Sequence, residues 1–190
     1  MTTAVRNARD QTLGHLPMNR LGLWLFLVSD ASFFIALISS RFFVVRLETP
    51  DEVSQVLGLS LTILLLLSSL TAYRAEVSAA HGDQIWFRRY IIATILMGIA
   101  FLGGVGYEWQ QAYTHFPPHT GYGTILFTLT GVHATHVLSG IALLAIVYFK
   151  GLGGKYGPDD YWGVEGAVKW WHFVDVAWVF IYPTLYLVNT

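Results

Sequence analysis

Five apolar stretches, each long enough to cross a lipid bilayer, constrain the fold of this chain more than any other feature of its sequence. About 20 helical residues cross the ~30 Å hydrocarbon core of a membrane. Only 12% of the residues are charged and 54% are hydrophobic, whereas roughly 25% of the residues in a soluble domain are charged. We therefore predict an all-α integral membrane protein, a bundle of five transmembrane helices. A segment over 1–20 precedes a single transmembrane domain over 21–190, whose spans cover about 21–43, 53–73, 90–109, 123–149 and 170–188.

The basic residues beside the spans predict the orientation, because cytoplasmic ends of membrane helices carry an excess of Lys and Arg. Only Arg41 and Arg46 flank the spans on one side of the predicted membrane. Nine basic residues flank them on the other side, and these are Arg6, Arg9, Arg20, Arg74, Arg88, Arg89, Lys150, Lys155 and Lys169. We therefore predict that segment 1–20 is cytoplasmic. An odd number of spans then places the C-terminus on the opposite, periplasmic side.

The composition excludes several classes of site. The chain has no cysteine, which rules out disulfides, iron–sulfur clusters and thiolate-ligated haem. Histidine, carboxylates and methionine remain as the available metal ligands. The formal net charge is -1, and the sequence has no basic patch of the kind that binds nucleic acid. We therefore expect no nucleic-acid partner.

Six ionisable residues lie inside the predicted spans and are the candidates for a functional role. A charged side chain at the bilayer centre costs about 2.5 to 3.5 kcal/mol, so such groups should face the bundle interior and one another. The rise of a helix places Asp30 about 15 Å and His136 about 20 Å from the cytoplasmic ends of their spans. We predict that these two side chains form a buried pair. The full set is Asp30, Glu108, His133, His136, His172 and Asp175.

The same depth calculation separates the last span from this pair, because it places His172 and Asp175 only about 3 to 8 Å deep. Residues three apart on a helix share one face. We therefore predict that His172 and Asp175 pair directly and fix the register of the last span, with proton relay as the alternative. Glu108 lies where the third span meets the outer interface, and we interpret it as an exposed structural carboxylate.

The motif HATH, residues 133 to 136, has two interpretations. Imidazoles at this spacing lie on one helix face and can ligate a metal. However, no Glu-x-x-His motif accompanies them, and no other span offers a histidine at the same depth to complete a haem site. We favour hydrogen bonds from both imidazoles to Asp30, to neighbouring hydroxyls or to backbone carbonyls. We therefore predict no metal site, no cofactor site and no catalytic residue in this chain.

Five segments of the sequence occur in the order and spacing of a known family. They read LWLFLVSDASFF (23–34), LLLLSSLTAY (64–73), FLGGVGYEWQ (101–110), TGVHATHVLSG (130–140) and WWHFVDVAWVFIYPTLYLV (170–188). From Leu21 onward the chain resembles subunit III of the haem–copper respiratory oxidases, in a five-helix short form. The resemblance implies tilted transmembrane helices, no prosthetic group in this chain and bound phospholipid. It also implies that the chain binds the catalytic subunit I, with subunit II and a small subunit IV as further partners. Haem and copper would be held by the partner catalytic subunits.

The resemblance implies a function for the complex and a supporting role for this chain. The complex is a terminal oxidase of the bacterial inner membrane that reduces oxygen to water and pumps protons, with cytochrome c or a quinol as electron donor. The chain would support assembly, proton uptake and sustained turnover. We expect Asp30 with His136 to form a buried pair, and the cytoplasmic face near Glu165, His172 and Asp175 to help collect protons. His133 and Glu108 would complete the buried polar network.

Two departures from the family pattern and two alternatives stay open. The family commonly has glutamate in an S-E context where this chain has Asp30 in S-D, so the partner of Asp30 must lie closer or act through a water. The full-length form has seven spans, and the first two are missing here. The alternatives are a related accessory subunit of a nitric-oxide reductase system and a stand-alone metal-binding membrane enzyme.

Overall fold

The chain folds into long α-helices, as the apolar stretches predict. The computed structural model describes residues 2–44, 55–115 and 117–187, with side chains from Leu16 onward. Within these residues the helices are α1 (Thr2–Val44), α2 (Gln55–Ala80), α3 (Gln84–His115), α4 (Gly121–Leu152) and α5 (Trp162–Tyr186). Residues 45–54, between the first two predicted spans, and the side chains of Arg6 and Arg9 lie outside this description.

Four of the helices are long and apolar enough to cross a membrane, and α5 is not among them. The four segments are Leu16–Val44, Gln55–Ala80, Gln84–His115 and Gly121–Leu152. The physical reason why α5 differs from the other four helices lies in its position, because it packs against α1, α2 and α4. A helix enclosed by protein presents less surface to lipid, so it can hold polar side chains that a lipid-facing helix could not. The predicted integral membrane class is confirmed, whereas the predicted count of five spans is not, because α5 carries the charged residues Glu165, Lys169 and Asp175.

One buried tryptophan fills the centre of the bundle. Trp171 is 0% exposed, and its indole N–H donates to Ser68 of α2 at 3.0 Å. A Cβ atom built on Gly98 of α3 or on Gly140 of α4 would lie only 2.6 or 2.8 Å from the Trp171 ring. Small residues at helix crossings allow this close approach. The indole therefore joins α5 to α2, α3 and α4.

This packing predicts opposite effects of the same substitution at two glycines of α3. Gly98→Ala gains about 0.8 to 1 kcal/mol of helix propensity, but its Cβ would lie 2.6 Å from the rigid Trp171 ring. Overpacking costs about 1 to 3 kcal/mol, so we expect net destabilisation and a lower melting temperature in detergent. Gly103→Ala is the matched control, because its Cβ would meet nothing within 4 Å. Equal melting temperatures for the two variants would show that the ring does not sit on Gly98.

The ends of the helices are fixed by capping residues and by one loop. The Asp83 carboxylate accepts from the backbone N–H groups of Ile85 and Trp86, each at 3.2 Å, and so caps the start of α3. The Thr120 hydroxyl caps α4 in the same way, through Gly123. In the loop between α4 and α5, burial raises the pKa of the Tyr156 phenol, and the Tyr156 ring packs edge-on to Phe87 of α3 at 5.7 Å. This contact holds the loop against the start of α3.

Candidate functional site

A carboxylate and an imidazole meet between α1 and α4. The His136 Nε2 lies 3.2 Å from the Asp30 Oδ2, and each side chain is 17% exposed. The His136 Nδ1 lies 2.7 Å from the Val132 carbonyl oxygen one turn earlier on α4. The pairing predicted from helix depth is therefore present. The short aspartate side chain reaches the imidazole directly.

The orientation of the His136 ring follows from its backbone contact. A carbonyl oxygen only accepts hydrogen bonds, so the His136 Nδ1 carries the hydrogen that it donates to Val132. The His136 Nε2 then faces the Asp30 carboxyl group at 3.2 Å, but the Asp30 Oδ2 has no partner in hydrogen-bonding geometry among the described residues. The two side chains therefore lie at ion-pair distance, with the ring held in place by α4.

Aromatic rings enclose the pair. The Phe34 ring lies edge-on to the His136 ring with centroids 4.9 Å apart. Trp170 stacks on His136 at 5.7 Å, and Phe26 of α1 stacks on Trp170 at 5.4 Å. Apolar neighbours lower the local dielectric constant and strengthen the electrostatic interaction between the two groups. The pair is thus held rigidly, with only a small part of it accessible from outside the chain.

His133 lies one turn away from the pair, but its surroundings differ. It is 0% exposed, and neither ring nitrogen has a hydrogen-bond partner within the described residues. The rings of Phe101 and Trp178 pack against it at 5.6 and 5.0 Å. The predicted hydrogen bonds are therefore right for His136 and wrong for His133. Among the described residues, no group of three or more His, Cys, Asp or Glu side chains is placed to hold a metal ion.

His172 contacts α2 instead of its neighbour on α5. Its Nδ1 lies 2.6 Å from the Ser69 Oγ. The Asp175 carboxyl group lies near the same hydroxyl, but neither of its oxygens has a partner in hydrogen-bonding geometry in the described part of the chain. The predicted direct pair of His172 and Asp175 is wrong, because the imidazole turns toward a hydroxyl on the facing helix. Asp175 is only 3% exposed. Its carboxyl group is thus buried between α5 and its neighbours.

The predicted depth of His172 and Asp175 is also wrong. The calculation counted from residue 170, but α5 begins at Trp162. Contacts across the bundle give the true level: Trp170 stacks on His136, and Phe173 packs against Phe34 at 6.0 Å. The part of α5 around Trp170 and Phe173 therefore lies level with the Asp30–His136 pair.

Glu165 organises a charged cluster at the end of the bundle where α5 begins. Its carboxylate accepts from the Arg20 guanidinium of α1 at 2.9 Å and from the Lys169 ammonium one turn along α5. Glu76 of α2 is half-buried and close enough to interact electrostatically with all three groups. Sequence analysis identified Glu165 but missed Glu76, because a carboxylate near the end of a span looks like an ordinary solvated residue.

Glu108 is buried, which corrects its interpretation as an exposed carboxylate. It is 6% exposed, and the Tyr186 hydroxyl of α5 donates a short hydrogen bond to its Oε1.

Nearby, Arg41 of α1 is 0% exposed. The Arg41 guanidinium lies over the Tyr122 ring at 5.6 Å and donates from its Nε to the Thr184 carbonyl at 3.3 Å. Sequence analysis treated Arg41 as a flanking charge, because one helix alone does not show that α4 and α5 cover it.

The Glu108–Tyr186 hydrogen bond can be tested by removing one oxygen atom. Tyr186→Phe would leave the buried Glu108 carboxylate without this donor, and an unsatisfied buried polar group costs about 1 to 3 kcal/mol. We expect a lower melting temperature in detergent. Tyr182→Phe is the matched control, since the Tyr182 ring stacks on Tyr186 at 5.2 Å without sharing the Glu108 bond. If Tyr186→Phe and the wild-type chain have the same melting temperature, the bond does not stabilise the bundle.

Comparisons with known proteins place the chain among its relatives. A sequence model of the family described as cytochrome c oxidase subunit III matches residues 15–190. The probable cytochrome c oxidase subunit 3 of Mycobacterium leprae is 28% identical over 190 residues, covering 96% of this chain and 94% of the relative. The corresponding subunit of Corynebacterium diphtheriae is 31% identical over 210 residues, covering 100% of both chains. That of Neurospora crassa is 32% identical, covering 93% of this chain and 70% of the relative. The match includes every residue of the site.

Proposed function

Because this chain belongs to the cytochrome c oxidase subunit III family, we propose that it supports proton uptake and sustained turnover of the catalytic subunit of a bacterial terminal oxidase. It is an accessory subunit III of a haem–copper oxidase, a multisubunit enzyme that reduces oxygen to water. Its own contribution is to hold and orient groups beside the subunit that performs the chemistry.

The Asp30–His136 pair is the observation that supports a proton-linked role. An imidazole Nε2 and a carboxyl Oδ2 lie 3.2 Å apart there, and the rings of Phe34 and Trp170 pack against the imidazole. A histidine whose other nitrogen is fixed by a backbone carbonyl has a set orientation. We infer that this fixed imidazole beside a carboxyl group is the part of the chain best suited to proton transfer.

The charged cluster at the start of α5 supports the proposed orientation. Arg20, Lys169 and Glu165 would lie at the cytoplasmic surface, where Lys and Arg are enriched. In this arrangement α5 is the fifth span, the N-terminus is cytoplasmic and the C-terminus is periplasmic. Glu165 and the half-buried Glu76 would then form an acidic entrance on the cytoplasmic side. Protons entering there would reach His172 and Asp175 deeper in the bundle. The chain would be a multi-pass protein of the bacterial inner membrane.

The partners and cofactors follow from the family. The catalytic subunit I would be the main contact, with subunit II and a small subunit IV in the same complex. Haem and copper would be held by those partners, and phospholipid would be bound to this chain. The names of the relatives favour cytochrome c as the electron donor over a quinol.

Removal and return of the chain test the supporting role. The complex purified without this chain should reduce oxygen at first, then lose activity after fewer turnovers than the complete complex. Adding the purified chain should restore both the proton-uptake rate and the lifetime. Equal lifetimes with and without the chain would contradict the proposal.

A further inference from the structure

The side chain of Trp170 is connected to His136 in two ways. Its indole stacks on the His136 imidazole, with centroids 5.7 Å apart and an angle of 25° between the ring planes. Its N–H group donates to the Ser139 hydroxyl at 3.1 Å, and that hydroxyl donates to the His136 carbonyl oxygen at 2.7 Å. Trp170 is 7% exposed, so the indole itself is buried. One residue of α5 is thus tied to both the ring and the backbone of His136.

The His136 imidazole needs support from its surroundings, because its own torsion does not fix it. Rotation of a histidine ring about the bond to Cβ has two broad minima instead of the sharp wells of an aliphatic side chain. The hydrogen bond from the His136 Nδ1 to the Val132 carbonyl selects one of the two. However, that carbonyl also accepts from the Thr135 hydroxyl at 2.6 Å and from the helix backbone, although a carbonyl oxygen has only two lone pairs. A shared acceptor is a weak anchor for the ring.

Aromatic contacts supply the missing constraint on the plane of the imidazole. The Phe34 ring lies edge-on to it, with an angle of 64° between the planes, whereas the Trp170 indole lies closer to parallel. A wide ring stacked on the imidazole restricts the tilt of its plane. Phe26 of α1 stacks in turn on Trp170 with centroids 5.4 Å apart, so the indole is held from α1 as well as from α4. The tilt of the imidazole decides whether its Nε2 faces the Asp30 carboxyl group at 3.2 Å.

We propose that Trp170 is a positioning residue that keeps the His136 imidazole directed at Asp30. The stacked indole fixes the plane of the imidazole, the Val132 carbonyl selects its edge, and the Ser139 hydroxyl anchors the indole. This proposal rests on the proposed function for its effect on proton uptake, because a proton moves between two groups only when the donor and the acceptor are within reach. It gives α5 a role in a pair that α1 and α4 form.

Solid-state NMR of the complete complex tests the orientation of the imidazole. With ¹³C at the aspartate Cγ and ¹⁵N in the histidine rings, the dipolar coupling between Asp30 and His136 reports how constantly the ring faces the carboxyl group. His136→Gln assigns the signal by removing it. We expect Trp170→Leu to weaken the coupling and to lower the proton-uptake rate about two- to tenfold, which corresponds to the loss of one aromatic contact. Unchanged coupling in Trp170→Leu would overturn the proposal.

Trp109→Leu is the matched control. The Trp109 indole also donates to a hydroxyl of α4, that of Thr130, at 2.9 Å. It packs on Phe127 with centroids 5.6 Å apart instead of on a histidine. Its removal should leave the coupling between Asp30 and His136 unchanged. Equal weakening of the coupling by both leucine variants would show a general loosening of the bundle and would overturn the specific role of Trp170.

Two conservative variants separate the stacked ring from the hydrogen bond. Trp170→Phe keeps a ring on the imidazole but loses the N–H donor, and Ser139→Ala loses the same bond from the other side. We expect both to give a coupling between those of the wild type and Trp170→Leu. If the leucine variant does not assemble, a weakened coupling in these two supports the proposal, and an unchanged coupling in both overturns it.

The coupling and the proton-uptake rate distinguish this proposal from the proposed function. A weakened coupling with normal proton uptake supports the positioning role of Trp170 and defeats the proton-linked role of the pair. A normal coupling with slow proton uptake defeats the positioning role alone.

Discussion

Replacing Asp30 by alanine in the assembled complex should slow proton uptake and shorten the turnover lifetime. The His136 Nε2 would lose the group that lies 3.2 Å away, and removing one partner of a buried ion pair costs about 3 kcal/mol. The carboxyl group that exchanges a proton with the imidazole in the proposed role would be removed as well. Proton-uptake rates and activity traces of the purified complex measure both effects. Ser32→Ala is a control on the same helix, because the Ser32 hydroxyl is exposed and, among the described residues, bonds to the Val28 carbonyl of its own helix alone.

Asp30→Asn separates a structural role from a proton-linked role. An amide N–H can donate to the His136 Nε2, so the contact between α1 and α4 is kept without an exchangeable carboxyl proton. We expect near-normal stability with slow proton uptake. Normal proton uptake in both the alanine and the asparagine variants would contradict a proton-linked role of the pair.

Trp171→Ala should strongly destabilise the bundle, because it empties the point where four helices meet. The indole is 0% exposed, contacts Gly98 and Gly140 and donates to Ser68. Truncation of a buried Trp to Ala costs about 3 to 5 kcal/mol, through lost contacts and the cavity left behind. We expect a strongly lowered melting temperature and loss of the chain from the complex.

Trp86→Ala is the control for this prediction. The Trp86 ring is 47% exposed and stacks on Tyr90 at 5.6 Å, so its removal leaves no buried cavity. A small change in melting temperature is expected. A Trp171 variant as stable as the Trp86 variant would mean that the indole does not fill the centre of the bundle.

The helical fold and the Asp30–His136 pair were predictable from the sequence because both depend on local rules. An apolar run sets the length of a helix, and the rise per residue sets the depth of a side chain within it. The depth of His172 and Asp175 was not predictable in the same way. The polar residues of α5 before Trp170 resemble a loop until the neighbouring helices are seen to enclose them.

The partners of buried polar side chains depend on tertiary packing, which a single sequence does not specify. Ser69 is one of several hydroxyls on α2, and nothing local shows that it faces His172. Arg41 and Glu108 each lie near the end of a span, where a charge is normally solvated. They are buried because α4 and α5 supply Tyr122 and Tyr186 at the same level. These contacts join helices that are far apart in sequence.

The most direct test of the central claim is an optical spectrum and a metal analysis of material purified through a tag on this chain. Both are recorded on the intact complex and again after the partners are stripped in mild detergent. We predict haem and copper in the intact complex and their departure with the partners. Iron or copper that stays with the isolated chain would contradict the accessory role and would make His133 and His136 the first candidates for a ligand pair.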